Sequence, residues 1–92
     1  SPRITESEVE AIASMRNIEE EVLRILSLNR QWVQKYPIIH ALVRNPKAPV
    51  GVVLPLINRL TLRDLKNLSS DRGVPEVVRT SARKLYGQRK QS

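Results

Sequence analysis

The sequence predicts an all-α fold, a right-handed stack of five to six short helices of the α-solenoid kind. Three observations predict it. Two stretches, 1–28 and 45–84, repeat one another: Ser1-Pro2-Arg3-Ile4-Thr5 aligns with Asn45-Pro46-Lys47-Ala48-Pro49, and Val9, Ile12 and Ala13 fall on Val53, Leu56 and Ile57, 44 positions on. If the second copy carries 12 extra residues, 14–22 then falls on 70–78. Apolar residues recur at helical spacing and no alternating run suggests a strand. A period in the forties made of helical pattern is the signature of stacked helix pairs.

Each element has its own local reason. Thr5-Glu6-Ser7-Glu8 is a capping box, with Ile4 and Val9 as a hydrophobic staple around it, and Val9, Ile12 and Ala13 make the inward face of the first helix. Asn17 is expected to cap a second helix with Glu20 as its box partner. There Ile18, Val22, Ile25 and Leu26 form the inward stripe, and Glu19, Glu20, Glu21 and Arg24 point outward. Pro37 divides the next segment into a turn at 31–35 and a helix at 37–44. Trp32 and Tyr36 face one side of it as core anchors, with base stacking the weaker reading.

Asn45 to Pro49 is a loop before a fourth helix at 49–60, kinked by Pro55 and apolar at Val52, Val53, Leu56, Ile57 and Leu60. Thr61 caps a fifth helix with Leu65 and Leu68 inward. Asp71-Arg72-Gly73 breaks the chain. The last helix runs over 75–88, with Val77 or Val78, Ala82, Leu85 and Tyr86 inward, and 88–92 forms a frayed basic tail.

Ninety-two residues make a single domain, 1–92, divided into a repeat at about 1–44 and another at about 45–87. Two repeats fall short of what a solenoid generally needs, and the chain begins Ser-Pro without Met. The expectation is therefore a fragment from the C-terminal end of a longer array, with upstream repeats as partners. Having no cysteine removes disulfides, thiolate metal sites and cysteine nucleophiles, and fits a cytoplasmic location. No apolar run is long enough to span a membrane. Charge is uneven: residues 1–28 carry −3 and residues 29–92 carry +10, which make up the net +7. A basic half of this size attracts nucleic acid, lipid head groups or an acidic protein without choosing among them.

The segments Asn45-Pro46-Lys47-Ala48-Pro49, Leu62-Arg63-Asp64-Leu65-Lys66-Asn67-Leu68 and Arg72-Gly73-Val74-Pro75-Glu76-Val77-Val78-Arg79 resemble bacterial HEAT-like repeats and the leucine-rich repeat variant. Asn29-Arg30-Gln31-Trp32 and Ala41-Leu42-Val43-Arg44-Asn45-Pro46 resemble stretches of uncharacterised bacterial proteins with such arrays at their C-terminal ends. The likeness covers nearly the whole chain and implies a binding scaffold with no catalytic residues. Two departures stand out. Ala48 replaces the usual cap threonine, worth about 1 kcal/mol unless Asn45 substitutes. The variant's cysteine-ligated iron–sulfur cluster has no ligands here.

No catalytic, metal or cofactor site is expected. His40 is the only histidine and reads as a packing residue, the Glu19-Glu20-Glu21 run as a solvated helix start, and Gly51, Gly73 and Gly87 are too scattered for a phosphate loop. The functional lead is cationic. Arg72, Arg79, Arg83, Lys84, Arg89 and Lys90 lie on or beside the last helix, and Arg44, Lys47 and Arg72 are placed to line one edge of the stack. Rows of this kind grip phosphate rather than read bases, while cations late in a helix are also favoured by its dipole. The expected function is a non-enzymatic scaffold or adaptor binding another protein with an acidic surface. The alternative is nucleic-acid backbone binding through the basic half.

Overall fold

A computed structural model describes residues 4–91, so Ser1, Pro2, Arg3 and Ser92, including most of the first aligned turn, lie outside it. Six helices follow one another: α1 Glu6–Ala13, α2 Glu20–Ser27, α3 Tyr36–Val43, α4 Val50–Ile57, α5 Leu62–Ser69 and α6 Glu76–Lys90. They form a body 49 Å long and 24 by 18 Å across. The all-helical expectation stands, with no strand among the described residues.

The helices fall into two sets of three. The starts of α1 and α4 are 44 residues apart, those of α2 and α5 are 42 apart, and those of α3 and α6 are 40 apart. Buried pairs keep the same offsets: Val9 and Ala13 match Val53 and Ile57, Leu23 matches Leu65, and Ile38 and Leu42 match Val78 and Ala82. The turns agree too. Asn29 Oδ1 accepts from the Gln31 amide at 2.9 Å, and Asp71 Oδ1, 42 positions on, accepts from Gly73 at 2.8 Å. This replaces the expected 12-residue insertion, which had matched the start of α2 to the start of α6. The second unit is a few residues shorter, not longer. Helix α3 packs on α1 within the first unit as α6 packs on α4 in the second, and α3 meets α4 across the join.

Asn45 fastens that join. It is the buried polar side chain of the core, 1% exposed. Its amide donates to the carbonyls of Ala13 at 2.6 Å and Met15 at 2.8 Å, which close the end of α1, while its Oδ1 accepts from Lys47 at 2.9 Å. Asn45 therefore organises the turn and seals α1. It does not cap α4, which starts at Val50 with Pro49 at the cap position and no side-chain cap, and Ala48 is buried where a threonine hydroxyl would need a partner.

Several local expectations hold. The Thr5 capping box is complete, with Glu8 N–H donating to the hydroxyl at 3.2 Å and Thr5 N–H donating to the Glu8 carboxylate at 2.8 Å. Ile4, the outer half of the expected staple, remains exposed. The Thr61 hydroxyl caps α5 by accepting from Asp64 N–H at 3.2 Å. Trp32 and Tyr36 are half-buried and pack on the core. Pro55 lies inside α4 on its exposed side.

Three expectations need correction. Helix α2 begins at Glu20 with Glu19 at its uncapped start, not at Asn17. Its inward residues are Leu23, with Leu26 against the core beside it, while Val22 and Ile25 face outward. The apolar face of this helix is broad, and the period alone does not say which edge of it is buried. Helix α6 also continues to Lys90 instead of fraying from residue 88, because the Arg89 guanidinium donates to the carbonyls of Leu60 and Asn58 just past α4. Of the two valines offered as inward, Val78 is buried and Val77 exposed.

Candidate anion-binding groove

Between the end of α5 and the first two turns of α6 the chain makes a tight turn around Asp71. One carboxylate oxygen accepts from Gly73 N–H, and the other accepts from Arg44 Nε at 3.3 Å. A Cβ at Gly73 would stand 3.1 Å from Asp71 Oδ1, close enough to crowd the carboxylate, and the backbone there is not left-handed. Arg79 reaches back from α6 and donates through Nη1 to the carbonyl of Val74 at 2.6 Å and more weakly to that of Asp71 at 3.4 Å. One turn on, Arg83 donates through Nη2 to the carbonyl of Ser69 at 3.3 Å, in the last turn of α5.

These arginines share a groove of about 660 Å³ lined by Ser69, Ser70, Arg72, Glu76, Arg79, Thr80 and Arg83. Arg72 is exposed on the turn, with no hydrogen-bond partner among the described residues. Three guanidinium groups against the one carboxylate of Glu76 leave the groove with a local charge of +2. A guanidinium carries five N–H donors, so Arg79 and Arg83 keep donors to spare while their carbonyl bonds hold them in place. Such a site suits carboxylate or phosphate oxygens, which accept two parallel N–H bonds from one arginine.

The eight cations singled out from the sequence thus divide. Arg72, Arg79 and Arg83 come together in the groove, and Arg44 touches the same turn through Asp71. Lys47 is exposed on the turn before α4. Lys84 lies on the other flank of α6 in a hollow with Leu54, Asn58 and Leu85, Arg89 is held by carbonyls beyond α4, and Lys90 stands 5.7 Å from the ring of Tyr86. The hydroxyls of Ser70 and Thr80 and the carboxylate of Glu76 were not anticipated. The spacing 76, 79, 80, 83 along one side of α6 was the available signal.

A second hollow, about 570 Å³, has Tyr36, His40 and Asp64 on its wall. The Tyr36 hydroxyl donates to Asp64 Oδ2 at 2.5 Å and accepts from Thr61 N–H at 3.0 Å. His40 Nε2 is 3.8 Å from Asp64 Oδ1, and its ring stacks on Tyr36. The contacts join α3 to α5 across the two units. Among the described residues no group of three or more His, Cys, Asp or Glu is placed to hold a metal ion. No helix among them is long and apolar enough to cross a membrane.

By fold and site this is an all-α protein with an arginine-lined groove. No family model matches the chain, and no curated protein and no solved structure is significantly similar to it.

Proposed function

We propose that the protein is a non-enzymatic scaffold or adaptor module, its two three-helix units stacked as turns of a right-handed solenoid of the HEAT-like kind. Its groove beside α6 takes the acidic surface of another, cytoplasmic protein. The observation that supports this best is the convergence of Arg72, Arg79 and Arg83 on one groove, two of them already fixed by carbonyl groups. Fixing a side chain beforehand removes part of the ordering cost of binding. Glu76 in the same groove suits a peptide surface, which also offers N–H donors, better than an unbroken row of phosphates.

A second reading, nucleic-acid backbone binding, is supported by the +10 charge of residues 29–92. It is weakened by the commitment of Arg44 to Asp71 and of Arg89 to carbonyls, which breaks the expected row of free cations. Fluorescence anisotropy with a labelled glutamate-rich peptide and with duplex and single-stranded oligonucleotides, each at two salt concentrations, separates the two. Saturable peptide binding with weaker oligonucleotide binding is expected. Oligonucleotide affinity that exceeds it and falls steeply with salt supports the phosphate reading, and an unbound peptide at low salt rejects the scaffold reading of this groove.

A further inference from the structure

Helix α2 has one broad apolar face, and the core covers only one edge of it. Leu23 is fully buried and Leu26 packs on the core, yet Val22, Ile25 and Leu28 along the other edge are 41, 59 and 69% exposed, with Met15 also exposed on the preceding turn. An apolar helix face is normally covered across its whole width. The matching helix of the second unit sharpens the point. At the positions 42 residues on, α5 and its cap carry Asp64, Asn67 and Ser70, three polar residues, where α2 and its cap carry Val22, Ile25 and Leu28. The fold itself therefore does not require apolar residues there.

We infer that this stripe pairs with the same stripe of a second copy of the chain, the two α2 helices running antiparallel about a two-fold axis near Ile25. Charge selects both the occupant and the direction. Glu19, Glu20 and Glu21 cluster at the start of α2, Glu21 also accepting from Arg24 within the helix, whereas Arg30 follows its end, exposed and without a partner among the described residues. Antiparallel pairing brings the acidic start of each helix to Arg30 of the other copy and leaves Val22, Ile25 and Leu28 facing Leu28, Ile25 and Val22. Parallel pairing would set the two glutamate triplets side by side. A two-fold interface needs one self-complementary patch, and α2 supplies an apolar seam with opposite charges at its two ends. The groove beside α6 is on other elements and stays open in such a dimer.

Sedimentation across a range of protein concentrations tests the pairing. The apparent mass is expected to double as concentration rises, and Ile25→Glu or Leu28→Glu is expected to hold the chain at the monomer mass with an unchanged helical circular dichroism spectrum. Because the chain has no cysteine, introduced thiols report the geometry. Ile25→Cys should form disulfide-linked dimers under mild oxidation, while Lys66→Cys on α5 should not. Glu21→Cys, which shares the face of Ile25, and Arg30→Cys should cross-link when mixed, and neither alone. A monomer at every concentration, a dimer indifferent to Ile25→Glu, or self-linking of Glu21→Cys would each overturn the proposal.

Discussion

Asn45 shows how much one side chain holds here. Its amide satisfies two carbonyls at the end of α1 and its oxygen orders the turn into α4, all at a buried position. Asn45→Ala leaves the buried Ala13 carbonyl without its donor and loosens the half-buried bond to Met15, which costs about 2 kcal/mol. Urea unfolding should show a loss of that size, and Asn45→Asp should not restore it, because a carboxylate cannot donate to Ala13 and Met15. The exposed Asn29, which orders only its own turn, should cost clearly less when changed to Ala. From the sequence, Asn45 was legible as a turn residue. Its bonds to α1 join positions about 30 residues apart, which local pattern does not encode.

Among the helices, what could be read from sequence depended on how many competing patterns a segment carried. Thr5 with Glu8 admits one interpretation and forms as expected. Hydrogen bonds from the Thr5 backbone and side chain to Glu8 lower the pKa of Glu8 from the ordinary 4.5. A depressed carboxylate stabilises the fold fully above its unfolded pKa and loses that contribution as pH falls through the lower folded value. The Thr5 amide resonance should therefore titrate below pH 4.5, with α1 fraying at its start as it does; titration at the ordinary value would contradict the capping box. Helix α2 reads as one inward stripe of Ile18, Val22, Ile25 and Leu26, but its apolar face is broader than that, and packing buries Leu23 instead of Val22. The far end of α6 was read as a loose tail because nothing in local sequence says that Arg89 reaches Leu60 and Asn58. Arg89→Ala should speed amide exchange over residues 88–91 while leaving the first turns of α6 protected; unchanged exchange would show that those carbonyl bonds do not hold the last turn.

At the level of the entire chain, the sequence showed internal matches but not the spacing of the helices. Short matches such as Ser14 with Ser70 and Val22 with Val78 favoured an insertion, whereas the helices repeat as two threes with offsets of 44, 42 and 40. Loop lengths that change by two residues per connection defeat an alignment built on fixed spacing. The candidate groove was legible only in kind, as basic residues around the last helix. Its membership was not, because residues on two flanks of α6 look equivalent until the helix is placed against α5. The side of α6 that carries binding is therefore the point to test. Anisotropy of the glutamate-rich peptide should show Arg72→Gln weakening binding about tenfold, the loss of one charge-assisted contact. Lys84→Gln, on the opposite flank, should change it less than about twofold, the level of general charge screening. Equal losses from the two substitutions would mean that diffuse charge, and not the groove, attracts the partner.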